Sequence, residues 1–278
     1  METLARILTQ GKVDYLERVF EHGRVLDLAL RETLTGVADK GRRHGAPPLP
    51  VPFALQSLLP EGLRRGSTVH VAGSVSLLLA LLGAASAEGA WCALVGLPMV
   101  SAEAAGEYGF ELGRLAIVPQ PGSGWATAVG ALLDAVDVVA TCPPPRVVPG
   151  DVRRLTARAR SHDSVLVPFG ADWPGAEVEL RIREGEWEGI DENGVGRLRR
   201  RRVVVTAEGR GRAARPRTAR LWLPAEGGGV DAADGSARGP HSAGDLHLDG
   251  GPHSAGDAHS GGSVVSMDEN AVITLRAG

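Results

Sequence analysis

The chain has 278 residues, 43% hydrophobic and 23% charged, which is a globular composition with length enough for one large core or two small ones. Thirty basic against 33 acidic side chains leave a net charge of −3, and aromatics are only 4%. Those values exclude a protein that coats nucleic acid by bulk charge and give no aromatic base-stacking platform. Only Lys12 and Lys40 are lysines, so 28 of the basic residues are arginine, a bias read as that of a GC-rich genome.

Residues 1–45 read as a small helical region of two or three short helices. Leu4, Ile7 and Leu8, then Val13, Leu16, Val19 and Phe20, recur at helical spacing, with Gly11 and Gly23 as interruptions. Residues 46–65 form a proline-rich connector, since Ala46-Pro47-Pro48-Leu49-Pro50-Val51-Pro52 cannot be helix. From 66 to 224 short apolar runs alternate with helical segments. Strands are expected at Ser67–Ala72, Ala90–Leu97, Leu115–Val118, Val136–Cys142 and Ser164–Phe169. Helices are expected at Val75–Ala87, Ala102–Leu112, Trp125–Ala135 and from Pro149 to about His162. This alternation predicts an α/β core, a mostly parallel sheet with helices on both faces.

After Gly170 the helical pattern stops. Glu177–Arg183 alternates strictly, Arg202–Ala207 and Ala219–Leu223 continue in kind, and Asn193-Gly194 marks a turn between the first two. Antiparallel strands are therefore expected to close the sheet. Residues 225–262 are low in complexity, with Gly-Pro-His-Ser-Ala-Gly-Asp at 239–245 and again at 251–257, and are expected to be disordered. A short tail, 263–278, regains strand character at Ala271–Leu275. From 225 onward eight acids oppose two arginines, a balance of −6.

Cys92 and Cys142 each lie in an apolar run and read as buried thiols, too few for a disulfide scaffold or a four-cysteine zinc site. The longest apolar stretch, Val75–Ala87, has 13 residues, too short for a bilayer. With Glu2 and no early apolar run there is no signal-peptide pattern, so a cytoplasmic protein is expected. The tail histidines His241, His247, His253 and His259 recur six residues apart without cysteine; that spacing in a flexible chain fixes no metal geometry, and a polar tether is the expectation.

Val71-Ala72-Gly73-Ser74-Val75-Ser76-Leu77-Leu78-Leu79 has the strand–turn–helix layout of a phosphate-binding loop. A working loop needs G-x-x-x-x-G-K-[ST], with lysine for the terminal phosphates and Ser/Thr for magnesium. Leucines stand in that stretch instead. Gly73, Ser74 and Ser76 are therefore read as a vestigial loop, with no cofactor, metal or catalytic residue expected.

Residues 66–224 resemble the core of RecA-type recombinases, through Val118-Pro119-Gln120-Pro121-Gly122-Ser123-Gly124, the helix after it, Val136-Asp137-Val138-Val139 and the closing strands. Over 1–224 the chain resembles the short actinobacterial ImuA-type proteins. The resemblance implies a RecA-like accessory factor of DNA-damage-induced mutagenesis (translesion synthesis). Such a factor binds an ImuB-type partner and through it an error-prone polymerase, and DNA is a further possible partner. It also implies association with the nucleoid on damage. RecA-type enzymes place a general-base glutamate after the second strand and an acid at the end of the fourth. Here those stretches read Val95-Gly96-Leu97-Pro98-Met99 and Ala140-Thr141-Cys142-Pro143, and Asp137 lies early in its strand. The long DNA-contacting loop after the fifth strand is replaced by Gly170–Gly175. A pseudo-ATPase is expected; the alternative is a nucleotide-dependent DNA-binding ATPase with an unconventional loop.

Arginine concentrates between 196 and 222, at Arg197, Arg199, Arg200, Arg201, Arg202, Arg210, Arg212, Arg215, Arg217 and Arg220, against Glu208 alone: +9 in 27 residues. This reads either as a surface for phosphate backbone or an acidic partner, centred on Arg197, Arg199–Arg202, Arg210 and Arg212, or as a solvated edge hairpin. Trp125 is expected in the core. Trp173, in a turn that reads as exposed, is expected to be the better candidate for partner contact.

Overall fold

The computed structural model describes residues 46–190, 196–233 and 273–276. The helices expected over 1–45, the Asn193-Gly194 turn, the repeated heptapeptide and the tail histidines lie outside them. Ten strands and four α-helices are described. In chain order they are β1 (Val69–Ala72), α1 (Val75–Ala87), β2 (Cys92–Val95), α2 (Ala102–Glu107), β3 (Leu115–Gln120), α3 (Trp125–Ala135) and β4 (Val138–Thr141). Then follow α4 (Pro149–Ser161), β5 (Val165–Pro168), β6 (Val178–Ile190), β7 (Gly196–Gly209), β8 (Arg217–Trp222), β9 (Asp231–Ala232) and β10 (Ile273–Arg276). Among the described residues no helix is long and apolar enough to cross a membrane.

The strands form two five-stranded sheets, β10-β3-β2-β4-β5, wholly parallel, and β1-β6-β7-β8-β9, in which only β1–β6 is parallel. Parallel bridges Thr68↔Leu166 and Val71↔Phe169 join β1 to β5, so the two halves run on as one surface. The expected α/β class with antiparallel closing strands is what the chain adopts.

Strands β2, β4 and β5, and β3 from Leu115 to Val118, are buried on both faces, as their continuous apolar runs require. One face (Cys92, Leu94, Leu115, Ile117, Val138, Ala140, Val165, Val167) shares a core with α1 and with Leu49, Leu55, Leu58 and Leu63 of the lead-in segment. That core continues under Val69, Val71, Leu180, Val203, Val205 and Leu221. The opposite face, from Ala93 to Leu166, is covered by α3 and α4. This second layer stops at β5. Beyond it, among the described residues, the outer face of β6 to β8 carries charged side chains and no helix.

Helix α1 is buried on nearly all sides from Leu77 to Leu82, as an all-apolar helix must be. Trp125 is buried and donates from Nε1 to Thr141 Oγ1 at 2.7 Å. Trp173 corrects an expectation: it is only 5% exposed, packs edge-on against Trp125 with ring centroids 6.4 Å apart, and donates to Thr156 Oγ1 at 3.1 Å. The turn that carries it folds onto α4, so it is a core residue with a satisfied N–H and no contact surface for a partner.

Two elements differ in length from their sequence patterns. Helix α2 ends at Glu107 instead of Leu112, because Gly109 takes φ +82 and the chain closes into a 3-10 turn at Leu112–Arg114. Strands β6 and β7 extend well past Arg183 and begin well before Arg202, because register irregularities between Ile182 and Glu184 and between Glu188 and Ile190 break the alternation without ending the pairing. Ordered backbone also runs past 224: Ala225 is buried and β9 pairs with β8.

Gly83 of α1 faces the carbonyl of Tyr108, and a Cβ there would lie 1.8 Å from that oxygen. An exposed helical Gly→Ala change stabilises by about 1 kcal/mol. Here the sign reverses: G83A is expected to cost about 2–3 kcal/mol by overpacking, read as a lower urea midpoint with an unchanged m-value.

Candidate functional site

The turn after β1 holds two residues. Gly73 takes φ +78, and Ser74 is the N-cap of α1, its Oγ accepting from Leu77 N at 3.2 Å. The Ser74 hydroxyl is therefore engaged as an acceptor by the helix's own first turn. Ser76 is hydrogen-bonded to Tyr108, whose phenol burial pushes up while that bond opposes the shift. Leu77, Leu78 and Leu79 follow, all buried.

The neighbouring strand exits carry no carboxylate. After β2, Gly96 donates to Val118 O at 2.8 Å, and Leu97 is fully buried. After β4, Cys142 donates to Val95 O at 2.9 Å, and burial pushes its thiol up. Asp137 lies before β4 begins, at the opposite edge. It pairs with Arg65 Nη1 at 2.9 Å and accepts from Trp91 N at 2.8 Å, so it fastens the lead-in segment to the sheet.

The arginines expected to form one basic surface fall into two groups. Arg197 and Arg199 are exposed near the end of the β6–β7 hairpin. Arg200 pairs with Glu188 at 2.8 Å and lies over the Trp222 ring at 3.9 Å. Arg202 pairs with Glu186 at 2.7 Å. Arg201 turns to the other face, 5.8 Å from the Trp187 ring, and its guanidinium occupies the space where Gly185 has no side chain. Arg210 lies past the end of β7, and Arg212 falls in the 3-10 turn Gly211–Ala213. Ten strand residues separate Arg199 from Arg210, and eleven steps at ~3.3 Å set them about 36 Å apart along the strand.

The charge count over 196–222 omitted what β6 brings opposite. Glu186 faces Arg202 and Glu188 faces Arg200 in register. The alternation Glu184-Gly185-Glu186-Trp187-Glu188 was the available signal, since period-two acids on one strand meet period-two bases on the next. At the far end Arg183 pairs with Glu208 at 2.6 Å. Between β1 and β6, buried His70 Nδ1 lies 3.2 Å from Glu179 Oε2. Burial raises the Glu179 carboxyl, but bonds from Arg181 and His70 outweigh it and hold the group below the usual glutamate range.

Removing the two opposing carboxylates frees Arg200 and Arg202. The double variant E186Q/E188Q is expected to elute from a heparin column at higher salt than the parent chain; unchanged elution would mean that these pairs do not mask charge.

The MT3502 N-terminal domain family model matches residues 57–175. The protein Rv3395c of Mycobacterium tuberculosis is 32% identical over 158 residues, an alignment spanning 54% of this chain and 78% of that protein. Among solved structures, the RadB recombinase superposes with a TM-score of 0.49 at 14% identity, covering 66% of this chain and 97% of that one. The KaiC-like protein PH0186 of Pyrococcus horikoshii OT3 gives 0.47 at 11% identity with the same coverage. By the extent of its match to the mycobacterial protein, the chain belongs to the Rv3395c family.

Proposed function

We propose that this protein is a RecA-superfamily relative that works by binding other macromolecules and does not hydrolyse ATP. In this reading it is an ImuA-type accessory factor of DNA-damage-induced mutagenesis, engaging an ImuB-type partner and, through it, an error-prone polymerase at damaged DNA. Its arginine-bearing antiparallel strands serve as a surface for DNA or for that partner.

The observation that carries the non-catalytic part is the fate of the turn at Gly73-Ser74. Phosphoryl transfer depends on placed charge and metal, with little covalent help from the protein. At this turn the serine hydroxyl caps α1, three buried leucines follow, and the flanking strands exit through Leu97-Pro98 and Cys142-Pro143. None of these residues supplies a cation to offset the several negative charges of a triphosphate, or a carboxylate to hold its magnesium.

Titration calorimetry of the full chain with ATP and magnesium is expected to give no saturable heat. Micromolar binding with turnover, lost on altering Gly73, would establish the ATPase alternative. In the same chain S74A is expected to lower stability by about 1 kcal/mol through loss of the cap. The partner half of the proposal is tested by co-purification from damaged cells: recovery of an ImuB-type protein supports it, and its absence from the recovered complexes refutes it.

A further inference from the structure

In the 197–202 run β6 supplies a counter-charge to Arg200 and Arg202; a second group of arginines gathers beyond the other end of β7. Arg64, Arg210 and Arg217 stand around a cleft of about 410 Å³ between the lead-in segment, the starts of β1 and β6, and the β7–β8 turn. Its floor is apolar, with Leu59 and Val69 buried and Val178 half-buried. Arg64 is held by Glu177, and Arg217 donates to Leu58 O at 3.4 Å. Among the described residues, neither Arg210 nor Arg217 has a carboxylate in ion-pair contact, and the exposed Arg215 of the same turn has none either.

We propose that this cleft is a phosphate-backbone site for single-stranded DNA. The inference rests on the reading of the arginine-bearing strands as a binding surface and moves the site from the hairpin to the opposite end of β7. Guanidinium forks take phosphate oxygens in pairs, and an apolar floor accepts the sugar between them. The volume lies in the ~300–1,000 Å³ range of small-ligand pockets and admits a single nucleotide unit in its recess, which a duplex backbone does not present. An acidic peptide fits less well. Peptides dock on sheets through unpaired strand edges, and here the edges are taken: Glu177 N donates to Thr68 O at 2.9 Å, and Arg210 N donates to Glu177 O at 3.0 Å. Glu61 and Glu177 also line the cleft and would repel an acidic side chain no less than a phosphate, so the arginine geometry and the lack of a free edge decide between the two.

The test uses the full chain and a labelled oligothymidylate of about 20 nucleotides, read by fluorescence anisotropy at several salt concentrations. R210E/R215E is expected to weaken binding at least about tenfold and to reduce the salt slope by about 1.4, at ~0.7 for each phosphate no longer neutralised. R215E alone, at an exposed position, guards against a folding defect and is expected to weaken binding about threefold with an unchanged melting temperature. R197A/R199A is expected to stay within about twofold of the parent chain. Loss of binding in R197A/R199A with none in R210E/R215E overturns the cleft and leaves the arginine surface on the hairpin. Tighter binding of polyglutamate than of the oligonucleotide overturns it in favour of an acidic peptide. No binding of the oligonucleotide by the parent chain at about 50 mM salt overturns it too, and leaves binding of an ImuB-type partner standing.

Discussion

A helix without a polar side has to be enclosed, and α1 sets the terms for everything around it. Leu77 to Leu82 are buried, and the helix lies between the parallel strands and the leucines of the lead-in segment. The same apolar character that completes the core starts at the helix's first turn. A helix N-terminus facing water offers free N–H groups to an anion; this one spends a serine on its own cap and presents leucine next. The positions that follow this turn from Leu77 onward belong to the core.

The antiparallel half follows a different rule. Among the described residues no helix covers the outer face of β6 to β8, and the apolar packing of these strands lies on the inner face, through Leu180, Val203, Val205 and Leu221. The outer face is laid out as alternating glutamate and arginine, which keeps it wet and discourages a neighbouring strand from adding on. Each exposed pair contributes little, about 0–1 kcal/mol. Their larger effect is to neutralise Arg200 and Arg202 within the hairpin's arginine run.

Strands and helices of the parallel half were legible because each has one dominant signal. Val75–Ala87 and Trp125–Ala135 are predominantly apolar helices bounded by Ser74 and Gly124, and the structure reproduces both spans. What the sequence hid was non-local. The turn around Trp173 looked solvated because Asp172, Pro174 and Gly175 surround it, yet tertiary contact with Trp125 and Thr156 buries the ring. The hairpin looked short because bulges at Arg183 and Gly189 scramble the period. The arginine run looked unopposed because its counter-ions sit on the preceding strand, and a charge tally along the chain does not see across a sheet.

The indoles sort by neighbourhood in a way that makes the two halves optically separable. Trp125 and Trp173 share one dry contact under α3 and α4, each with its N–H given to a threonine. Trp187 and Trp222 each lie beside a guanidinium on the antiparallel hairpin, Trp187 about half exposed. Trp91 packs half-buried against the same helical layer as the first pair, so emission from these three reports on that layer and emission from Trp187 and Trp222 on the charged strands, and a single chain carries its own internal record of which layer loosens first.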